Sequence, residues 1–127
     1  MTVRSVQRNR RVLVIEDEFY IADSLATALL AVGLEVVGPA YSVSQALGHI
    51  ARAADIHGAI LDINLRNQLA FSVADSLSSH GIPFVITTGY DPQQLEERYR
   101  HIACFEKPFD PSRVVAELQK EMAPKVG

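Results

Sequence analysis

The sequence contains a single cysteine, Cys104, which therefore has no partner for an internal disulfide. Four histidines are scattered along the chain, and no cluster of cysteine and histidine has the spacing of a zinc site. A chain of 127 residues buries roughly two-thirds of its surface on folding, so its core needs neither disulfide nor metal. We therefore expect a reducing compartment, with Cys104 as a small buried hydrophobe rather than a redox thiol.

The sequence also lacks a long apolar run, since no stretch approaches the length of a membrane span. The basic start is followed by four apolar residues, 12–15, which are too few for the core of a signal peptide. We therefore expect a cytoplasmic protein without membrane insertion. The length is that of one domain, so we expect no linked output domain.

Acidic residues are absent from the first eleven positions, which carry four arginines. The formal net charge is −3, with 12 basic and 15 acidic residues, so the chain beyond this start is strongly acidic. An acidic surface repels phosphate backbones, and we expect no DNA binding by the domain. We interpret residues 1–10 as a basic flexible tail, residues 11–123 as one domain and residues 124–127 as a C-terminal tail.

Five short apolar runs predict strands that are buried on both faces. The predicted strands are residues 12–15, 34–37, 59–61, 82–86 and 102–105, and the second is closed by Gly38-Pro39. Apolar residues at helical spacing predict helices between and after them, at residues 21–32, 43–50, 70–77 and 114–122. A polar segment, residues 93–100, is the weakest of the helix predictions, and we expect a short or irregular helix there.

Local signals mark the helix ends. Gly33 occupies the position just after the first helix, where glycine is favoured. Ser42 and Gln45 have the spacing of a capping box, and Asp110-Pro111 supplies a cap and a first residue for the last helix. Alternating strands and helices predict a doubly wound α/β fold with a parallel sheet between two helix layers. Ligands of such sheets bind at the carboxyl ends of the strands.

Charged, amide and hydroxyl side chains follow the predicted strands at that edge. They are Glu16 and Asp17 after the first strand, Asp62 and Asn64 after the third, Thr88 after the fourth and Lys107 after the fifth. Carboxylates that converge repel one another unless a cation compensates their charge. Carboxylate oxygens are preferred ligands of Mg²⁺, and Mn²⁺ could replace it. The pattern predicts a magnesium site with Lys107 as a second, fixed positive charge.

Four motifs in this order resemble the receiver domain of two-component response regulators over residues 11–122. They are Ile15-Glu16-Asp17-Glu18, Leu61-Asp62-Ile63-Asn64-Leu65, Thr88-Gly89 and Lys107-Pro108-Phe109. The resemblance implies a flavodoxin-like (βα)5 fold, a five-stranded parallel sheet with strand order 2-1-3-4-5. It further implies a stand-alone receiver that signals or relays through protein contacts, with a sensor histidine kinase or phosphotransfer protein and a downstream protein as partners.

The resemblance also implies residue roles. Asp62 would accept the phosphoryl group, and Thr88 and Lys107 would bind its oxygens. Mg²⁺ would be held by Asp17, Asp62 and the Asn64 carbonyl, with Glu16 nearby through water. The Lys107-Pro108 peptide bond would be cis. Such a domain would catalyse its own Mg²⁺-dependent phosphorylation and dephosphorylation rather than act as a conventional enzyme.

A closer likeness lies in Pro83-Phe84-Val85-Ile86-Thr87-Thr88-Gly89-Tyr90, which looks like the FATGUY group of single-domain receivers. Cys104 stands where receivers usually have a switch aromatic, and Arg66 stands where proline is common. The candidate switch residues are therefore Gly89, Tyr90, Cys104 and Phe105, with Tyr90 as the substitute aromatic.

Three other functions are alternatives to that of a phosphoryl acceptor. An aspartyl-nucleophile phosphatase would need a second acid two residues after Asp62, where Asn64 stands. A nucleotide switch would need a glycine-rich phosphate loop after the first strand, and none is present. A degenerate receiver that binds proteins without phosphorylation remains as the alternative, and phosphorylation by acetyl phosphate discriminates between the two.

Overall fold

A computed structural model describes residues 10–52, 55–89 and 95–124. Its helices are α1 (Phe19–Ala31), α2 (Val43–Arg52), α3 (Phe71–Ser79) and α4 (Pro111–Met122), with a 3-10 helix at Glu97–Tyr99. The strands are β1 (Arg11–Ile15), β2 (Glu35–Ala40), β3 (Gly58–Asp62), β4 (Asn64–Leu65), β5 (Gln68–Leu69), β6 (Phe84–Thr88) and β7 (Cys104–Glu106).

Five of these strands form one parallel sheet in the order β2-β1-β3-β6-β7. Counted along the predicted strands this is 2-1-3-4-5, so the predicted flavodoxin-like topology is confirmed. Leu61 lies opposite Ile15, and Asp62 lies opposite Thr87. This register brings the carboxyl ends of β1, β3 and β6 to one edge of the sheet.

The sheet has a buried core on each face because side chains alternate along every strand. Leu13, Ile15 and Leu61 point to the face covered by α2 and α3. Val14 and Ile60 point to the opposite face, which α1 and α4 cover. β1, β3 and β6 are buried on both faces, which explains their continuous apolar runs. The edge strands β2 and β7 are only partly buried, so the prediction of burial on both faces is wrong for these two strands.

The predicted helix signals are present in the structure. Gly33 has a φ of 84°, and the Leu34 amide donates to the Leu29 carbonyl to close α1. Asp110 Oδ1 accepts a hydrogen bond from the Ser112 amide, which caps α4. The Ser42 hydroxyl accepts from the Gln45 amide. The Gln45 side chain reaches the amide of Tyr41 rather than that of Ser42, so the capping box is displaced by one residue.

Several predicted strand bounds are wrong by a few residues. β2 does not close at Gly38-Pro39 but continues through a cis peptide bond to Ala40. A proline is tolerated there because β2 lies at the edge of the sheet. β6 begins two residues later than predicted and includes Thr87 and Thr88, since these hydroxyl residues are compatible with a buried strand end.

The predicted fourth helix lies partly outside the described residues, since residues 90–94 are among those left out. In the described part, Glu97–Tyr99 forms a single 3-10 turn, which agrees with a short or irregular helix. Leu95 and Tyr99 are each 5% exposed and pack on the α2 and α3 face of the sheet.

A two-stranded hairpin, β4 and β5, follows β3 and was not predicted. Its turn residues, Arg66 and Asn67, have positive φ angles of 49° and 63°. Two positive φ angles in a two-residue loop give a hairpin turn whose twist matches its strands.

Arg10 is already part of the fold, although we placed it in the basic tail. Its guanidinium donates to the Met122 carbonyl, and its own carbonyl accepts from the Glu35 amide. Residues 1–9 lie outside the described residues. Within residues 10–52, 55–89 and 95–124, no helix has the length and apolar content needed to cross a membrane.

Candidate functional site

The predicted site residues converge at the carboxyl edge of the sheet. Asp62 and Thr88 are the last residues of β3 and β6, and both are 2% exposed. Glu16 directly follows β1 and is fully buried. Its amide donates to the Ala40 carbonyl at the end of β2, which holds the Glu16 backbone at the carboxyl edge of the sheet.

The Lys107 ammonium joins three carboxylates at this edge. Its Nζ atom lies 2.8 Å from Asp62 Oδ2, 3.1 Å from Glu16 Oε1 and 3.3 Å from Glu18 Oε1. The Lys107 backbone amide donates to the Thr88 carbonyl at 2.7 Å, which ties the end of β7 to the end of β6. Burial lowers the pKa of Lys107, but the contacts with Asp62 and Glu16 raise this pKa by more, so the group stays protonated.

The Asp62 carboxylate is held at both oxygens. Oδ1 accepts from the Asn64 amide at 3.0 Å, and Oδ2 accepts from Lys107. A buried carboxylate with two charge-assisted or backbone hydrogen bonds has a fixed orientation. Asp62 is therefore a buried carboxylate of fixed orientation rather than a solvated turn residue.

Glu16 is the electrostatically strained member of the group. Burial, followed by the charge of Asp62, raises the pKa of Glu16 to about 8. The hydrogen bond from the Glu18 amide and the charge of Lys107 both lower this pKa, but they do not outweigh burial. Lys107 therefore does not offset the effects of burial and of the Asp62 charge on Glu16, and a second cation beside Glu16 would lower its pKa.

Three carboxylates could hold that cation. Glu16, Asp17 and Asp62 each offer an oxygen, and these oxygens lie within 4.8 Å of one another. Asn64 Oδ1 is buried without a hydrogen bond from the described residues, and Glu16 Oε1 has the Lys107 ammonium at 3.1 Å as an ion-pair partner. An all-oxygen donor set with a buried, unsatisfied acceptor beside it fits a hard divalent cation such as Mg²⁺.

A pocket of about 390 Å³ opens above these residues, and we call it the strand-end pocket. Its lining includes Asp17, Asp62, Asn64, Arg66, Gly89 and Lys107. A Cβ atom placed on Gly89 would meet nothing within 4 Å, so glycine leaves this side of the pocket open rather than relieving a clash.

The remaining predicted residues have mixed outcomes. The Lys107-Pro108 peptide bond is cis, as predicted. Cys104 and Phe105 are partly buried on opposite faces of β7. Burial, with the charge of Glu106, raises the pKa of the Cys104 thiol to about 11, which agrees with an unreactive thiol. Tyr90 lies outside the described residues.

The hairpin contributes pocket residues that the sequence analysis did not place there. Arg66 and Asn67 line the strand-end pocket, and the Arg66 amide donates to Asp17 Oδ2 at 2.9 Å. Arg66 in place of the common proline does not by itself predict a hairpin, because a turn of this kind usually carries glycine.

Comparison with known proteins identifies the family. No family model matches the chain. The transcriptional regulatory protein PdtaR of Mycobacterium tuberculosis is 31% identical over 117 residues, which cover 87% of this chain and 55% of PdtaR. The chain thus spans about half the length of this curated relative.

Solved structures give the same result over nearly the whole fold. SdrG from Sphingomonas melonis Fr1 is 32% identical with a TM-score of 0.78, over 91% of this chain and 97% of SdrG. A response regulator receiver protein from Sinorhizobium medicae, at 18% identity, shares the fold with a TM-score of 0.77, over 90% of this chain and 94% of that one. With this topology and these residues at the strand ends, the chain belongs to the receiver domains of two-component response regulators.

Proposed function

We propose that this receiver accepts a phosphoryl group on Asp62 from a histidine kinase or phosphotransfer protein, and that it signals or relays through protein contacts. The observation that carries the proposal is the position of Asp62. It is a buried carboxylate at a strand end, with Lys107 Nζ at 2.8 Å and two further acids beside it. A lone strand-end aspartate in a turn would have neither partner.

Mg²⁺ would be held by Glu16, Asp17 and Asp62, whose oxygens form the cluster described above. When bound, the ion would neutralise negative charge that spreads over the phosphoryl oxygens in the transition state. The chain's own residues supply the nucleophile, the fixed ammonium and the orientation of both.

Phosphoryl transfer at this site needs no general base, because a carboxylate is already ionised when it attacks. An Asp62 oxygen forms the new bond to phosphorus while the bond from phosphorus to the donor imidazole nitrogen breaks, and that nitrogen keeps the electron pair. Lys107 lies where it can bind a phosphoryl oxygen after transfer. The Asn64 amide holds the other Asp62 oxygen in place during attack.

The open side of the strand-end pocket favours turnover of the acyl phosphate. Gly89 puts no side chain over the pocket, so water or a partner protein can reach the phosphorus atom. Attack by water would release inorganic phosphate and restore the Asp62 carboxylate. We propose that the phosphorylated form is short-lived unless a partner protects it.

A second groove, of about 500 Å³, supports a protein donor. It is lined by apolar side chains that include Tyr20, Ile21 and Phe109, and it shares Gly89 and Lys107 with the strand-end pocket. Phe19 and Tyr20 are 65% and 84% exposed. Because a donor histidine must enter the pocket beside this groove, we propose that the donor protein contacts it. DNA binding is not part of the proposal, since the chain is acidic overall.

The test is phosphorylation of purified protein with acetyl phosphate and Mg²⁺, followed by transfer from candidate kinases and mass analysis of the modified peptide. Asp62→Asn should abolish labelling, while the control Asp23→Asn, at an exposed position of α1, should not change it. Label that persists in Asp62→Asn, or a wild-type protein that cannot be labelled, would overturn the proposal in favour of a degenerate binding module.

A further inference from the structure

The hairpin places an arginine beside the predicted phosphoryl site. Arg66 occupies the first turn position between β4 and β5 and lines the strand-end pocket with Asp62 and Lys107. Asp17 holds the backbone at this position, because the Arg66 amide donates to Asp17 Oδ2 at 2.9 Å. This hydrogen bond links the tip of the hairpin to the end of β1.

The Arg66 backbone adopts a conformation that arginine rarely takes. Its φ of 49° lies in the left-handed region, which costs a residue with a Cβ atom some stability. The neighbouring Asn67 has the same handedness but tolerates it better. A glycine at position 66 would remove this cost.

The Arg66 guanidinium is a positive charge at the strand-end pocket that is not already paired with a carboxylate of the described residues. Within the described parts of the chain, Arg66 has no ion pair, and it is exposed. Lys107, in contrast, is shared among three carboxylates. A phosphoryl group on Asp62 would replace one negative charge with about two. Lys107 and one divalent ion would then leave negative charge uncompensated.

We propose that Arg66 binds the phosphoryl oxygens at Asp62 through its guanidinium. The inference rests on the proposed function, which supplies the phosphoryl group. A guanidinium presents parallel N–H donors that match two phosphoryl oxygens, and it stays charged at every relevant pH. Arg66 would thus bind the phosphoryl group from the hairpin, in a pocket that Lys107 also lines. The Asp17 hydrogen bond couples its position to the carboxylate that would hold the metal.

The experiment measures beryllofluoride affinity in the presence of Mg²⁺, and the rate of labelling by acetyl phosphate. Arg66→Ala should weaken beryllofluoride binding about ten-fold, the size of one charge-assisted hydrogen bond. Arg66→Lys should recover part of this loss because it keeps the charge. Arg52→Ala removes an exposed arginine at the far end of α2, at the opposite edge of the sheet, and should not change either measurement.

Arg66→Gly separates binding from a structural role. It removes the guanidinium and also the unfavourable left-handed backbone of a residue with a Cβ atom. We expect a Tm equal to or above that of wild type, together with the same loss of beryllofluoride affinity as Arg66→Ala. A loss of affinity that follows a loss of Tm across the variants would overturn the proposal.

The outcomes also distinguish this inference from the proposed function. If wild type binds beryllofluoride and is labelled on Asp62, but Arg66→Ala behaves as wild type does, the role of Arg66 is wrong and the function stands. If wild type neither binds beryllofluoride nor is labelled, both are wrong. A loss of affinity in Arg66→Ala that Arg52→Ala matches would indicate a general effect of net charge and would also overturn the role.

Discussion

At the scale of single residues, the central feature is one ammonium among buried carboxylates. Lys107 contacts Asp62, Glu16 and Glu18, and yet the pKa of Glu16 is raised to about 8. The folded protein therefore holds a proton on Glu16 over a pH range in which the unfolded chain, with its ordinary value of 4.5, has released it. This difference makes stability depend on pH.

We predict that the metal-free protein loses stability as the pH rises from 5 to 8. Between pH 4.5 and 8 the folded state binds one more proton at Glu16 than the unfolded state does. The free energy of unfolding then falls with pH, by up to about 4 kcal/mol over the range. Glu16→Gln carries no titrating group at this position, so the difference between the variant and wild type should widen toward pH 8. Urea unfolding in excess chelator measures both proteins.

All other titratable groups are common to both proteins, so the difference between the two curves reports on Glu16. Parallel curves for wild type and Glu16→Gln would contradict the raised pKa. Addition of Mg²⁺ should stabilise wild type most at high pH, because Glu16 has then lost the proton that competes with the metal.

A second residue-scale prediction concerns Asp17, which has two tasks. Its carboxylate is one of the three that could hold a metal ion, and its Oδ2 atom accepts a hydrogen bond from the Arg66 amide. Asp17→Ala and Asp17→Asn should both lose Mg²⁺ binding, and with it the labelling by acetyl phosphate. Both should keep the fold, since each variant removes a carboxylate that repels its neighbours.

The two variants should differ at the hairpin. Asparagine keeps a side-chain oxygen that can accept from the Arg66 amide, whereas alanine does not. Hydrogen exchange at Arg66 should therefore be slow in wild type and Asp17→Asn and faster in Asp17→Ala. Equal exchange in all three proteins would show that the hydrogen bond does not hold the hairpin. If either variant were labelled in excess chelator as fast as wild type is labelled with Mg²⁺, the metal requirement would be wrong.

Residues that directly follow apolar strands were predictable individually. Glu16, Asp62 and Lys107 could be placed because the parallel sheet brings strand ends together whatever the loops do. Arg66 could not be placed at the pocket, since its position depends on a hairpin of two-residue strands. Such short strands leave no periodic pattern in the sequence.

At the scale of elements, α3 is joined to the 3-10 segment by an aromatic and ionic cluster. Phe71 and Tyr99 stack with ring centroids 5.9 Å apart, and the Arg98 guanidinium lies 4.9 Å from the Tyr99 centroid. Arg98 also pairs with Asp75 at 3.2 Å, and the Tyr99 hydroxyl donates to Asp75. This cluster fixes the segment that follows residues 90–94.

We predict a measurable coupling between Tyr99 and Asp75. Tyr99→Phe keeps the buried ring but loses the hydroxyl, and it should cost about 1 kcal/mol. Asp75→Ala should cost a similar amount, because it also frees the half-exposed Arg98. The double variant should cost about 0.5–1 kcal/mol less than the two single costs together. Urea unfolding gives the global cost, and hydrogen exchange at residues 95–100 shows whether the loss is local.

Additive costs would mean that the hydroxyl and the carboxylate do not interact in solution. Glu97→Gln, a change at an exposed position of the same 3-10 turn, provides the matched control and should leave both measurements unchanged.

Element types were more predictable than element ends. The four helices were located from apolar spacing, and caps at Gly33 and Asp110 fixed two of their ends. The sequence predicts that β2 ends at Gly38-Pro39, because these residues usually end a strand. In the structure β2 continues to Ala40, since a strand at the edge of the sheet can lack one sheet hydrogen bond. The polar segment near Tyr99 folds through contacts with α3, which its own sequence does not reveal.

At the scale of the whole molecule, the question is how a change at Asp62 would reach the surface. The Lys107 amide donates to the Thr88 carbonyl, so a hydrogen bond joins the ends of β6 and β7. Cys104 is a small, partly buried residue that packs on the α2 and α3 face of the sheet. A thiol cannot swing between buried and exposed positions as an aromatic ring does, so this place offers no rotamer switch.

We predict that the response to phosphorylation appears instead between residues 89 and 100, with Tyr90 as its aromatic. Movement of Thr88 toward the phosphoryl group would pull on Gly89 and the residues that follow it. Their far end is anchored on α3 by Arg98 and Tyr99. A local change of order needs a bias of only a few kcal/mol, which a new doubly charged group with its metal can supply. Amide NMR or hydrogen exchange with and without beryllofluoride should show the largest changes in this segment. Changes confined to Cys104 and Phe105 would contradict the prediction, and Asp62→Asn, which cannot form the beryllofluoride adduct, should show none.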